Sequence, residues 1–266
     1  ETARLNAWFE EKFEEQLAFS PIQQTFLGRK TNNDKLGDFS AAAQQEQLEW
    51  RRESVAEMKA KFDREKLTED AKTSYDIWEY QLNRAEAANE FRTNGYVFEQ
   101  MSAIHAFFPQ LLIAIHRVDD ASDMEAYISR IRDTQVAMGE LIKQSKENAA
   151  TGVRPPKFSF EMVIDSAQQI ITGAPFDDGP DSSIWADVKR KVAGLMESGA
   201  IDQAQADALT ASAREALLTA WQPAYEDLLA WQKKTWLMQM LAQVSARCQT
   251  AKHFIMNALP TTPQRI

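Results

Sequence analysis

The sequence has 266 residues, 44% of them hydrophobic and 26% charged, with a formal net charge of −9. That balance suits a folded globular chain with a sizeable core and argues against extended disorder; scattered cations and an excess of acids exclude nucleic acid as a main ligand. One cysteine (Cys248) allows no internal disulfide, and no run of 18 or more apolar residues offers a transmembrane segment.

The chain opens on Glu1-Thr2-Ala3-Arg4 and not on Met, as a processed start would. Leu5, Trp8, Phe9, Phe13 and Leu17 then recur at three- and four-residue spacing, which predicts an amphipathic helix stopped by Ser20-Pro21. A polar, glycine-containing loop from Gly28 to Ser40 follows. A second helix is expected from about Ala41 to Arg64, burying Leu48, Val55, Met58 and Phe62. Thr68 reads as the cap of a third, with Glu69 and Asp70 in its first turn and Tyr75, Trp78, Leu82 and Phe91 on its apolar face.

Asn94-Gly95 ends that helix, and Val97–His116 is apolar with Pro109 at its centre, which suggests two short buried helices. Ser122-Asp123-Met124-Glu125 reads as a capping box opening a long helix to about Asn148. Thr151-Gly152-Val153-Arg154-Pro155-Pro156 makes a stiff loop, and a helix covers roughly Ser159–Ile171. Gly173–Pro180 is a turn-rich linker with Asp181 as the next cap. Asp202 starts the last long helix, in which Pro223 requires a kink or a new first turn. No segment alternates with period two, so the expected fold class is all-α, a multi-helix bundle of about eight to ten helices.

Little in these elements carries chemistry. His105, His116 and His253 stand at no metal-ligand spacing, and there is no phosphate loop, nucleophile elbow or Cys–His pair. His105 and His116 could approach each other across Pro109, although a hydrogen-bonded core role is the plainer reading of both. Glu10-Glu11 and Glu14-Glu15 fall on a solvent face. Asp119-Asp120 and Asp177-Asp178 fall at turns, where capping explains them more simply than a cation does. Trp8, Trp50, Trp78, Trp185, Trp221 and Trp231 read as anchors between helices. Arg154, held beside two prolines, is the best candidate for a presented functional group, with a structural salt bridge as the plainer alternative. The candidate binding residues are therefore Arg154, His105 and His116, with no catalytic or metal residue.

Several stretches, taken in order, resemble the bacterial family catalogued as domain of unknown function 885. Ser20-Pro21, Thr25-Phe26-Leu27-Gly28 and Leu36-Gly37-Asp38-Phe39-Ser40 are similar to its opening. Leu67-Thr68, Tyr75-Asp76, Asn94-Gly95, Asp119-Asp120, Tyr127, Arg130, Gly152 and Pro155-Pro156 resemble its middle, so that the likeness covers about Glu1–Trp231. The resemblance implies a helical fold like that of zinc metallopeptidases and an exported protein of the cell envelope or periplasm, lipid-anchored in many members. It places the zinc motif His-Glu-x-x-His beyond the matched region, so no cofactor is expected in this chain, which would be inactive alone. The alternative is a free-standing helical binding module for a peptide or protein partner.

The end of the chain stands apart. All 39 acidic residues lie at or before Asp227, whereas roughly five would be expected in Thr235–Ile266 at the earlier density. Residues 1–234 therefore read as the family's helical region and 235–266 as an atypical acid-free tail. Permitted codons for Arg247–Ile266, read one base earlier, can spell a family-like continuation, so a single-base frameshift near Lys234 is the expectation. Leu237, Leu241, Val244, Cys248, Ala251 and Ile255 nevertheless follow helical spacing, which would place an apolar face on the core or on a second copy of the chain.

Overall fold

The computed structural model describes the backbone of residues 1–258 and the side chains of residues 1–241. The described residues form ten α-helical segments: α1 (Thr2–Ala18), α2 (Pro21–Phe26), α3 (Ala41–Lys61), α4 (Glu69–Glu90), α5 (Ile104–Gln110), α6 (Ala121–Ala150), α7 (Lys157–Ile170), α8 (Ser183–Glu197), α9 (Gln203–Ala216) and α10 (Gln222–Ala258). Among the described residues there is no strand, only an isolated bridge between Ala174 and Asp181. The all-α expectation holds.

Two cores organise these helices. The smaller joins α1, α3 and α4 through Leu5, Trp8, Met58, Phe62, Leu67, Ala71 and Tyr75. Trp8 packs edge-on against Phe62 and Trp78, with ring centroids 5.9 and 5.6 Å apart, a geometry that suits the aromatic quadrupole. The larger core gathers α5 to α10 around Trp221, Tyr225, Tyr127 and Ile131, all fully buried. Leu36, from the loop before α3, is buried in that larger core, so the loop ties the first helices to the rest.

The helix starts differ in detail from the sequence pattern. Asp120, not Ser122, caps α6: its carboxylate accepts from the Asp123 amide at 3.0 Å and from the Ser122 hydroxyl at 2.7 Å. Ser182, not Asp181, caps α8, while Asp181 pairs with Lys189. Thr68 stands at the N-cap of α4 without a capping bond; its amide donates to the Thr2 hydroxyl at 3.0 Å, which staples α1 to α4. Asp202 makes a true capping box with Gln205. Phe13 and Phe91, expected on apolar faces, are 38% and 58% exposed.

Both internal prolines are accommodated by widening. α5 carries Pro109 and runs into a π turn at Leu111–Ile115; a second π turn, Leu217–Trp221, divides α9 from α10 just before Pro223. Thus the expected pair of short helices is one continuous run from Ile104 to Ile115, and the helix expected from Asp202 continues through Leu228, with a π turn ahead of Pro223 where a kink or a new first turn was expected. Pro109 has no N–H to offer the carbonyl four residues back, which is that of His105. The Tyr225 hydroxyl takes that place, donating to His105 O at 2.5 Å. Tyr225→Phe should therefore leave a buried carbonyl unsatisfied and lower stability by about 1–2 kcal/mol in chemical denaturation; an unchanged midpoint would mean that the bond is not structural.

α10 continues without a break across Lys234–Thr235. On the expected apolar face of the tail, Leu237 and Leu241 are 53% and 59% exposed. The side chains of Val244, Cys248, Ala251 and Ile255 lie outside the described residues.

Candidate functional site: a buried arginine–histidine network

Arg130 is completely buried on α6. A guanidinium in that position must spend its donors on acceptors, because an unsatisfied buried charge is costly. Its Nε donates to Lys35 O at 2.9 Å, Nη1 to His116 Nδ1 at 3.0 Å, and Nη2 to the Thr25 hydroxyl at 2.6 Å. Thr25 passes its own proton to Pro21 O at 3.0 Å, with Asn33 Oδ1 at 3.2 Å. All these acceptors are neutral. Burial consequently pulls the guanidinium down to about 10, partly offset by Asp34 and Asp133, and it stays charged at neutral pH.

That geometry fixes the state of His116. Arginine only donates, so Nδ1 must be the unprotonated nitrogen and Nε2 carries the hydrogen. Nε2 then donates to Asp123 O at 3.2 Å, with Asn33 Nδ2 3.4 Å away. Burial, followed by the Arg130 charge, pushes His116 down to about 4. The ring also meets Tyr127 edge-on at 5.3 Å.

Tyr127 extends the network to α8. Its hydroxyl donates to Asp187 Oδ2 at 2.9 Å; Lys191 donates to the same oxygen at 2.8 Å and to Leu112 O at 3.0 Å. The Lys191 ammonium lies 4.9 Å over the Tyr127 ring. Leu112 belongs to the π turn after Pro109, where carbonyls near a helix end lack intrahelical donors. Burial lowers the Lys191 pKa and raises that of Tyr127. At the outer edge, Lys30 pairs with Asp123 at 2.6 Å and with Asp119 at 3.1 Å.

The three residues singled out from the sequence go to three places. His116 is a member of this network. His105 is 1% exposed and edge-on to Phe98 at 6.5 Å; neither of its ring nitrogens has a partner among the described residues, and burial pushes it down to about 4. No hydrogen bond joins it to His116. Arg154 is exposed on the Val153–Pro156 loop, at the rim of a small cleft with Gly95, Asn148, Trp231 and Gln232, and makes no ion pair among the described residues. Tyr127, Arg130, Asp187 and Lys191 were not candidates. Their signal was present: Asp187 and Lys191 stand four apart among Ile184, Val188 and Val192, so an acid–base pair interrupts an apolar face.

Chemically the network is closed. The His116 lone pair is engaged by Arg130 and its N–H by Asp123 O, so the imidazole is not free to act as a base. Among the described residues no group of three or more His, Cys, Asp or Glu side chains could hold a metal ion. The arrangement fastens α2 and the loop that follows it, the α5 π turn, α6 and α8 to one another.

Known proteins resemble the chain at two levels. No curated protein matches its sequence. A solved structure described as "the putative lipoprotein from Colwellia psychrerythraea" shares the fold, with a TM-score of 0.69 and 11% identity over 87% of this chain. The present chain spans 41% of that one. The family described as "Bacterial protein of unknown function (DUF885)" matches residues 21–251. This span starts and ends about twenty residues later than the resemblance read from the sequence, and so includes the first part of the acid-free tail. With most of its length matched, the chain belongs to the DUF885 family of bacterial proteins.

Proposed function

We propose that this chain is the N-terminal helical portion of a metallopeptidase-like fold, a scaffold that supports a metal-bearing half and hydrolyses no peptide by itself. The observation that carries the reading is the match in fold to a chain of which it spans only 41%. The closed state of the His116–Arg130 network supports it, since the best-placed imidazole is committed to structure. Zinc would belong to the other half. In such an arrangement, front helices wall the substrate channel and keep bulk water from the metal. The fold shared with a protein described as a putative lipoprotein supports a cell-envelope location, and no described helix is long and apolar enough to cross a membrane.

The exposed Leu237, Met238 and Leu241 on α10 offer a surface for the proposed metal-bearing half or for a second copy of the chain. A second reading, a free-standing binding module for a peptide or protein partner, is favoured by the open groove between α3 and α4 described below. Elemental analysis of the purified chain after dialysis against zinc tests the scaffold reading. We expect only substoichiometric metal, whereas one tightly held zinc per chain would contradict it.

A further inference from the structure

The facing stripes of α3 and α4 change character along their length. At one end, Met58 of α3 and its C-cap Phe62 meet Ala71, Tyr75 and Trp78 of α4 in the smaller core. At the other end, the same faces carry Gln44, Gln47, Leu48 and Arg51 opposite Ala85, Ala88, Asn89 and Arg92. Gln44, Gln47, Leu48 and Arg51 keep i, i+3, i+4, i+7 spacing on α3; Ala85, Ala88 and Asn89 keep i, i+3, i+4 on α4, with Arg92 in the turn just after it, so that both sets line the cleft between the two helices. A stripe that turns polar while still facing its neighbour does not close on itself. The alanines supply no bulk, and the result is a groove of about 330 Å3, within the size range of small-molecule sites.

The groove has a directed chemistry. Phe19 and Trp50 form its aromatic wall, edge-on to each other at 5.9 Å. The side-chain amides of Gln16, Gln44, Gln47 and Asn89 line it and have no hydrogen-bond partners among the described residues. Arg51 lies 5.8 Å from the Trp50 ring and donates to Gln81 Oε1 at 2.9 Å, with no acid in ion-pair reach. Arg92 is exposed and makes no side-chain bond among the described residues. No carboxylate lines the groove, although the chain carries a net charge of −9. The neighbouring acids are engaged elsewhere: Glu15 with Lys12 and the Trp50 indole, Glu86 with Arg52.

We propose that this groove binds a small organic carboxylate with an aromatic or aliphatic body. The guanidinium groups of Arg51 and Arg92 would take the carboxylate, Trp50 and Phe19 the apolar part, and the free amides any intervening peptide-like group. The proposal does not depend on the scaffold reading, because it requires binding and no hydrolysis.

Isothermal titration of the whole chain with N-acetyl-tryptophan, and with N-acetyl-tryptophan amide as the uncharged control, tests it. We expect one saturable site for the acid, with binding weakened by about tenfold or more in the amide, as loss of a charge-assisted bond implies. Arg92→Gln, at an exposed position with no structural partner, should weaken the acid equally and leave the circular dichroism spectrum unchanged. Arg51→Gln should do the same, provided its spectrum shows the chain folded. Equal affinity for acid and amide, wild-type affinity in R92Q, or no saturable binding of the acid would each overturn the proposal.

Discussion

Lowering the pH from about 6.5 to about 4 should destabilise the fold by several kcal/mol, because His105 and His116 are both buried in the neutral form. Each has its native pKa depressed to about 4, against about 6.5 for a free imidazole. In that window the unfolded chain binds protons that the native chain refuses, so stability rises with pH. The contribution is fully present above about 6.5 and is lost as the pH falls towards 4. At about 1.4 kcal/mol per pKa unit, each histidine supplies about 3 kcal/mol at full effect. Urea denaturation followed by tryptophan fluorescence at several pH values would read this slope directly. His105→Phe separates the two contributions. The two ring nitrogens of His105 bond to nothing among the described residues, so this variant should match or exceed wild-type stability at pH 7 and show about half the pH slope. A flat profile between pH 6.5 and 4 would mean that neither imidazole is buried as described.

Arg130→Met should lower stability by about 3 kcal/mol or more. The substitution strips the donor from His116 Nδ1, the Thr25 hydroxyl and the Lys35 carbonyl at once, and each unsatisfied buried acceptor costs about 1–3 kcal/mol. Relief of the buried charge offsets part of that loss, since burial already strains the guanidinium. Arg130→Lys should rescue little, because a single ammonium cannot reproduce a planar fork aimed at acceptors on three segments. An independent readout is the titration of His116 by NMR. With the adjacent positive charge gone, its pKa should rise above about 4. Wild-type stability in R130M, with an unmoved His116, would show that the network is ornamental.

What the sequence makes legible, and what it does not, follows from the range of the interactions involved. The apolar stripes through Leu5, Trp8 and Leu17, and through Val55 and Met58, specify their helices locally, and these residues are buried as expected. Caps are less sharply encoded. Asp120 and Ser122 both offer an oxygen near the same amides, and only the path of the preceding loop selects Asp120. The π turns are invisible to a 3.6-residue period, although Pro109 and Pro223 mark where a wider turn relieves a missing N–H. Arg130 is the clearest omission. Its partners Thr25, Lys35 and His116 are separated from it by 105, 95 and 14 residues; one partner is a backbone carbonyl, which no side-chain pattern announces. The same limit hid the groove, since Gln44, Gln47 and Arg92 read one at a time as ordinary surface residues.

The proposed scaffold role, with no peptidase activity in this chain by itself, is tested most directly by hydrolysis of a fluorogenic peptide library by the purified chain, with and without added zinc. A scaffold should give no turnover above the protein-free control in either condition, with the chain folded throughout. Zinc-dependent turnover that co-purifies with the chain and disappears on chelation would contradict it.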